Sequence, residues 1–149
     1  MRSFSLKLII VMATLIALDF LWLTFLFDGS KLSPLSPLIR INGGSEGALL
    51  PPSIVVYALL AWSFLYFSWR TTIRQKTVQR ITHSALLGLG LFSVYECTNY
   101  ISFPNLDVRF LVADVIWGAF LFSLSGVVTA LFERFSQSEE TLLTSPEHG

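Results

Sequence analysis

Three acidic residues, Asp19, Glu96 and Asp114, stand inside stretches of the chain that are otherwise apolar. At the centre of a membrane helix each such side chain costs at least about 2.5–3.5 kcal/mol on insertion scales, so each needs a partner or a purpose. Carboxylates in these surroundings can take a proton, hold a hard cation or an ammonium group, or hydrogen-bond neighbouring helices together. At a rise of about 1.5 Å per residue, Asp19 lies roughly 18 Å beyond Lys7 and Glu96 roughly 20 Å beyond His83. Asp114 follows shortly after Arg109 in a span of opposite direction, which leaves it roughly 22 Å from the far edge of a core about 30 Å thick. The three acids are therefore expected in one layer, in the outer half of the membrane. No lysine or arginine of the spans stands at that depth. A proton, a bound cation, or Arg109 or Arg40 reaching in from the outer edge is left to meet the charge.

The acids have polar and aromatic companions. Asp19-Phe-Leu-Trp22 and Asp114-Val-Ile-Trp117-Gly118 repeat a DxxW pattern, with each tryptophan on its aspartate's helix face. An indole N–H there can donate to a carboxylate or a ligand; equally, both tryptophans suit an outer aromatic belt. Gly118 allows another helix to come close beside the acid. Around Glu96 the chain reads Tyr95-Glu96-Cys97-Thr98-Asn99-Tyr100; Tyr95, Thr98 and Asn99 share a face, and Asn99 is an i+3 neighbour of Glu96. The candidate binding residues are thus Asp19, Trp22, Tyr95, Glu96, Asn99, Asp114 and Trp117. No metal set is expected: a carboxylate-only site has no supporting spacing. Ser84, Gly88 and Phe92 form a packing face, with Gly90 a further thin spot. Cys97 reads as a small buried packing residue and His83 as an interfacial one.

Elements able to hold these residues follow from composition. The chain has 149 residues, 53% hydrophobic and 13% charged, with ten basic and ten acidic side chains. Soluble domains carry about a quarter charged residues, and a formally neutral chain offers no basic surface for nucleic acid. One cysteine excludes an internal disulfide, a CxxC pair and a cysteine-rich zinc site. Four stretches approach the roughly 20 apolar residues a span requires: 6–27, 50–69, 83–103 and 110–132. In lipid the backbone must satisfy its own hydrogen bonds, so all four are helices. The first runs too far past Ala17 for a signal-peptide core and reads as a retained helix. The expected fold is all-α, an integral membrane four-helix bundle over residues 1–135.

Basic residues orient it. Arg2, Lys7, Arg70, Arg74, Lys76, Arg80 and Arg134 fall on one side, against Lys31, Arg40 and Arg109 on the other. The positive-inside rule then places both termini in the cytoplasm, with the protein in the cell (inner) membrane, and Trp69 as an anchor at that interface. The outer loop 28–49, with its spaced prolines and leucines, reads as a tether or as a short cap over the bundle. The short outer connection 104–109 makes the last two spans antiparallel neighbours. Residues 136–149 are polar and read as a disordered cytoplasmic tail.

The segments LDFLW (18–22), YECTN (95–99) and VADVIWG (112–118) resemble the hallmark segments of a bacterial four-span family called domain of unknown function 2177. That family shows DxxWL, Y-D-x-T-N and D-I-x-W-G in the same order, and the resemblance covers residues 8 to 132. Glu96 departs from it, standing where the family usually has aspartate, and the stretch after Asn99 also diverges. The resemblance implies the four-span fold and leaves the chemistry open.

Three kinds of function fit. The first is a small carrier or a cation- or proton-linked binding protein, with the bilayer as its surroundings, a small cation, proton or lipid as ligand, and a homodimer to complete a path. The second is a structural or accessory membrane subunit whose polar layer only fixes helix packing. The third is an enzyme acting on a lipid or isoprenoid. It is the weakest: no Ser–His–Asp set and no phosphate loop appear, and no histidine stands in the acid layer. No cofactor is indicated.

Overall fold

The computed structural model describes residues 2–26, 50–102 and 107–144. Every regular element among them is helical. Helix α1 spans Arg2–Leu26, and α2 spans Leu50–Ser63 and continues as a π-helical segment, Phe64–Arg70. Helix α3 spans Thr77–Ser102 and α4 spans Val108–Thr144. The outer loop and the 103–106 connection lie outside the described residues, as do residues 145–149.

Local chemistry sets several of these boundaries. Pro51 and Pro52 fall in the first turn of α2, where a missing N–H is harmless. Lys76 caps α3: its backbone N–H donates to Gln79 Oε1 at 3.2 Å, half of a capping box. Asp107 caps α4, its Oδ1 accepting from the Arg109 backbone N–H at 2.8 Å. At the end of the π-helical segment the open carbonyls find side-chain donors. Thr71 donates to Phe67 O and Thr72 to Ser68 O, each at 2.6 Å, and Arg80 reaches Trp69 O at 3.4 Å. The wider i→i+5 winding also brings Phe64 and Trp69 together, with ring centroids 5.7 Å apart.

The helices run up, down, up, down. Lys7 near the start of α1 meets Glu133 far along α4, while Trp22 near the end of α1 meets Asp114 near the start of α4. Helix α3 packs most extensively on α4; α1 lies against both α4 and α2. Val11, Leu15, Ala61, Phe64, Leu65, Trp69, Leu121 and Phe122 form the core. Small residues bring α3 and α4 together. A methyl on Gly88 would overlap the Gly118 carbonyl and Phe122, and one on Gly118 would overlap the Phe92 ring. The Ser84–Gly88–Phe92 face is thus a packing face, whereas Gly90 meets no neighbour.

Large apolar side chains face outward along every helix, among them Ile9 and Phe20 on α1, Val55 on α2, Val94 on α3 and Ile116 on α4. In water such a surface would drive association; against lipid tails it costs nothing. Among the described residues, three helices hold segments long and apolar enough to cross a membrane, Phe4–Trp22, Ser53–Arg70 and Val108–Gln137. Helix α3, expected as a fourth span, is not one of them. Its 26 residues are ample, but Arg80, His83, Glu96 and Asn99 dilute its apolar content.

Two further expectations differ. Where a disordered tail was expected from residue 136, α4 continues to Thr144. The stretch SQSEETLLT has neither glycine nor proline to break it. Trp69 is no surface anchor: it is 3% exposed, because the π-helical winding turns it inward beneath Arg80.

Candidate functional site

The repeated DxxW pattern closes on itself across α1 and α4. Trp22 Nε1 donates to Asp114 Oδ1 at 2.9 Å, and Trp117 Nε1 donates to Asp19 Oδ1 at 3.0 Å. The two indoles stack between these bonds, centroids 4.5 Å apart and planes 4° from parallel. Because the helices are antiparallel, each tryptophan serves the other helix's aspartate, a local two-fold arrangement.

Helix α2 joins through Tyr57, whose hydroxyl donates to Asp19 Oδ2 at 2.6 Å. Sequence reasoning missed this residue. Its depth could have flagged it: Tyr57 lies roughly 10 Å below the start of α2, close to the level inferred for the acids. Asp19 thereby has a donor on each oxygen.

Helix α3 contributes Glu96, only 2% exposed although it is an ionisable side chain. Asn99 Nδ2 donates to Glu96 Oε1 at 3.3 Å, the i+3 pairing expected of the sequence. Among the described residues, Glu96 Oε2 is buried with no hydrogen-bond partner. The carboxyl it interacts with directly is that of Asp114, itself an acceptor. Two acceptors cannot satisfy each other without a shared proton or a cation between them.

With Glu96 turned inward, its neighbours turn out. Tyr95 is 60% exposed, whereas hydrogen bonds tie the other six candidate residues into pairs. Cys97 is exposed rather than buried, for the same reason. It lies in the wall of a groove of about 600 Å³ between the end of α3 and the start of α4. Ser93, Glu96 and Tyr100 line one side of that groove; Leu111, Val112 and Ile116 line the other. Among the described residues, no group of three or more His, Cys, Asp or Glu side chains is arranged to hold a metal ion. Arg109 is exposed, and its backbone N–H serves Asp107; Arg40 lies outside the described residues.

A second polar cluster, also missed, occupies the opposite end of the bundle. Glu133 on α4 accepts from Lys7 of α1 at 2.6 Å, from Trp69 Nε1 at 2.9 Å and from Arg80 of α3 at 3.0 Å. The Arg80 guanidinium lies 3.6 Å from the centroid of the Trp69 ring, in cation–π geometry. One carboxylate thus ties all four helices together.

No curated protein and no solved structure matches the chain. A family described as predicted membrane protein, domain of unknown function 2177, matches residues 4–131, a region that contains both DxxW segments, Tyr57 and Glu96. The chain belongs to that family of membrane proteins of unknown function.

Proposed function

We propose that the protein is a membrane-embedded binding protein, of the kind a small carrier uses, whose Glu96–Asp114 carboxylates take up a proton or a cationic group. One observation carries this reading: a buried carboxylate oxygen on Glu96 has no donor among the described residues and faces a second carboxylate. A helix glue would be expected to satisfy its own polar atoms, as Asp19 does through Tyr57 and Trp117. That satisfied half of the layer supports a structural role for the paired DxxW segments. The accessory-subunit reading therefore describes the frame around the site, and the binding reading describes the site.

In this proposal α3 is the fourth span. Leu86, Val94 and Ile101 are exposed on it while Ser84 and Glu96 are buried, the polarity a membrane-embedded helix requires. Exposed Arg70, Arg74 and Lys76 in and beside the α2–α3 turn support a cytoplasmic placement of that end, and with it of both termini, in the cell membrane. Four helices are few for a sealed path, so a transporting form would be a homodimer.

The test uses purified protein in detergent with two probes, protons and methylammonium. Infrared difference spectra taken across a pH titration should show a protonated-carboxyl band that Glu96→Gln removes. Methylammonium chloride at about 100 times its dissociation constant should stabilise the wild type by about 2.7 kcal/mol relative to equal sodium chloride, and leave Glu96→Gln unmoved. If neither response depends on Glu96, the binding reading fails and only the structural frame stands.

A further inference from the structure

Glu96, whose second carboxylate oxygen is buried without a partner among the described residues, lies in the wall of the groove between α3 and α4. Its walls are almost wholly apolar: Val108, Leu111, Val112, Val115 and Ile116 on α4 face Ile101 on α3. Several of these are strongly exposed, Ile101 at 84% and Ile116 at 62%, so in a bilayer the groove opens sideways toward lipid. Its volume of about 600 Å³ lies within the range of small-molecule sites. A water-soluble cation would gain nothing from these apolar walls, and a hydrocarbon chain alone would leave Glu96 as it is. A molecule that uses both features has a long apolar chain and a positively charged, hydrogen-bond-donating head.

We propose that this groove seats an amphiphile of the bilayer whose head carries a protonated amine, with the ammonium on Glu96 and the alkyl chain along Val108, Leu111, Val112 and Val115. The inference rests on the binding reading above and adds the ligand class and its lateral route of entry. Charge complementarity decides the head group. Among the described residues, those that interact with Glu96 and Asp114 include each other, Asp19, Tyr57, Trp22 and Asn99, all carboxylates or neutral donors, so an ammonium N–H can supply the missing bond. Ser93 and Tyr100 place further hydroxyls in the same wall, able to accept the remaining ammonium protons.

Cys97 supplies the readout, since it is the chain's single cysteine, is exposed and lines the groove. Full-length protein in detergent is alkylated with N-ethylmaleimide while hexadecylamine is titrated in. At ten times its dissociation constant, hexadecylamine should slow labelling of Cys97 about tenfold. Hexadecanol, hexadecanoate and methylammonium should slow it little. Glu96→Gln should abolish the protection. Val112→Trp, which leaves the carboxylates intact and fills the groove, should reduce the ratio of labelling rates with and without amine to near one. Circular dichroism of each variant establishes that it is folded.

Equal protection by hexadecanol overturns the ammonium head. Equal protection in Glu96→Gln shows a merely greasy surface and overturns the seat. If hexadecylamine leaves wild-type Cys97 unprotected while methylammonium still stabilises the protein through Glu96, this inference falls and the binding reading survives. If both responses are absent, both fall.

Discussion

The two ends of the bundle solve the same problem in opposite ways. At one end a single carboxylate, Glu133, receives an ammonium, a guanidinium and an indole from the three other helices, so both its oxygens have donors and its charge is met, although Arg80 Nε is buried without a partner among the described residues. At the other, three carboxylates share donors that are all neutral: the indoles of Trp22 and Trp117, the Tyr57 phenol and the Asn99 amide. Asp19 is satisfied there, Asp114 has one indole, and Glu96 keeps an oxygen without a donor. A polar cluster that serves only to hold helices together has every reason to resemble the Glu133 end. The difference lies in the carboxylates: the one at the first end meets two cations, and those at the other meet only neutral donors, with one oxygen left open.

Removing the charge that closes the first end should have the largest effect. Glu133→Gln keeps the shape and still accepts a hydrogen bond, but leaves the Lys7 and Arg80 charges, both drawn to one point, without their counter-ion. The Lys7 and Glu133 side chains are 23% and 21% exposed, so the cost falls between that of a surface pair and that of a buried one, about 2–3 kcal/mol. Reversible unfolding in mixed detergent should record it. A loss below about 0.5 kcal/mol, the scale of an ordinary surface substitution, would show that the node is no clamp and would remove the contrast between the ends.

What could be read in advance follows the same division. Asp19, Glu96 and Asp114 stood out because a charge inside an apolar stretch has no inexpensive explanation. The Glu133 node was illegible for the converse reason. Lys7 and Arg80 sit at span ends, where basic residues are ordinary and read as topology signals, and Glu133 next to Arg134 reads as the solvated margin of a helix. Tyr57 was hidden by its type, since a phenol in an apolar helix resembles lining until an acceptor is known to face it. The DxxW spacing identified the right residues but not the crossing, because the cross-pairing depends on how α1 and α4 lie against each other. The π-helical winding at Phe64–Arg70 left no periodic mark, so Trp69 could not be seen to turn inward. Even α3, correctly expected as a helix, blurs its own span signal: Glu96 and Asn99 of the acid layer and Arg80 of the Glu133 cluster are among the residues that lower its apolar content.

The crossed tryptophans give the next effect in size. Trp22→Phe removes the donor to Asp114, and Trp117→Phe removes one of two donors to Asp19. Each should cost about 1–3 kcal/mol, with Trp22→Phe the larger because Asp114 loses its indole partner outright. The rings also touch, so the double variant should depart from additivity by about 0.5–1.5 kcal/mol, the worth of a stacked aromatic pair. Additive losses would mean that the two bonds are independent and that the two-fold arrangement has no energetic content.

The smallest effect on stability belongs to the residue with the greatest proposed role. Glu96→Gln keeps the volume, preserves an oxygen able to accept from Asn99, and replaces the orphaned carboxylate oxygen with an amide whose N–H can donate to Asp114. The variant loses no satisfied bond and gains one, so its stability should lie within about 0.5 kcal/mol of the wild type or above it. The same side chain substituted in the same way at Glu133 should lose several times more. That pair of measurements, made in one detergent, asks whether burial of a carboxylate serves the fold or is endured by it. A Glu96→Gln variant that unfolds as readily as Glu133→Gln would mean that Glu96 is structural, and the open end of the bundle would then be a second clamp. A variant that is stable yet unresponsive to protons and ammonium would assign Glu96 to binding alone.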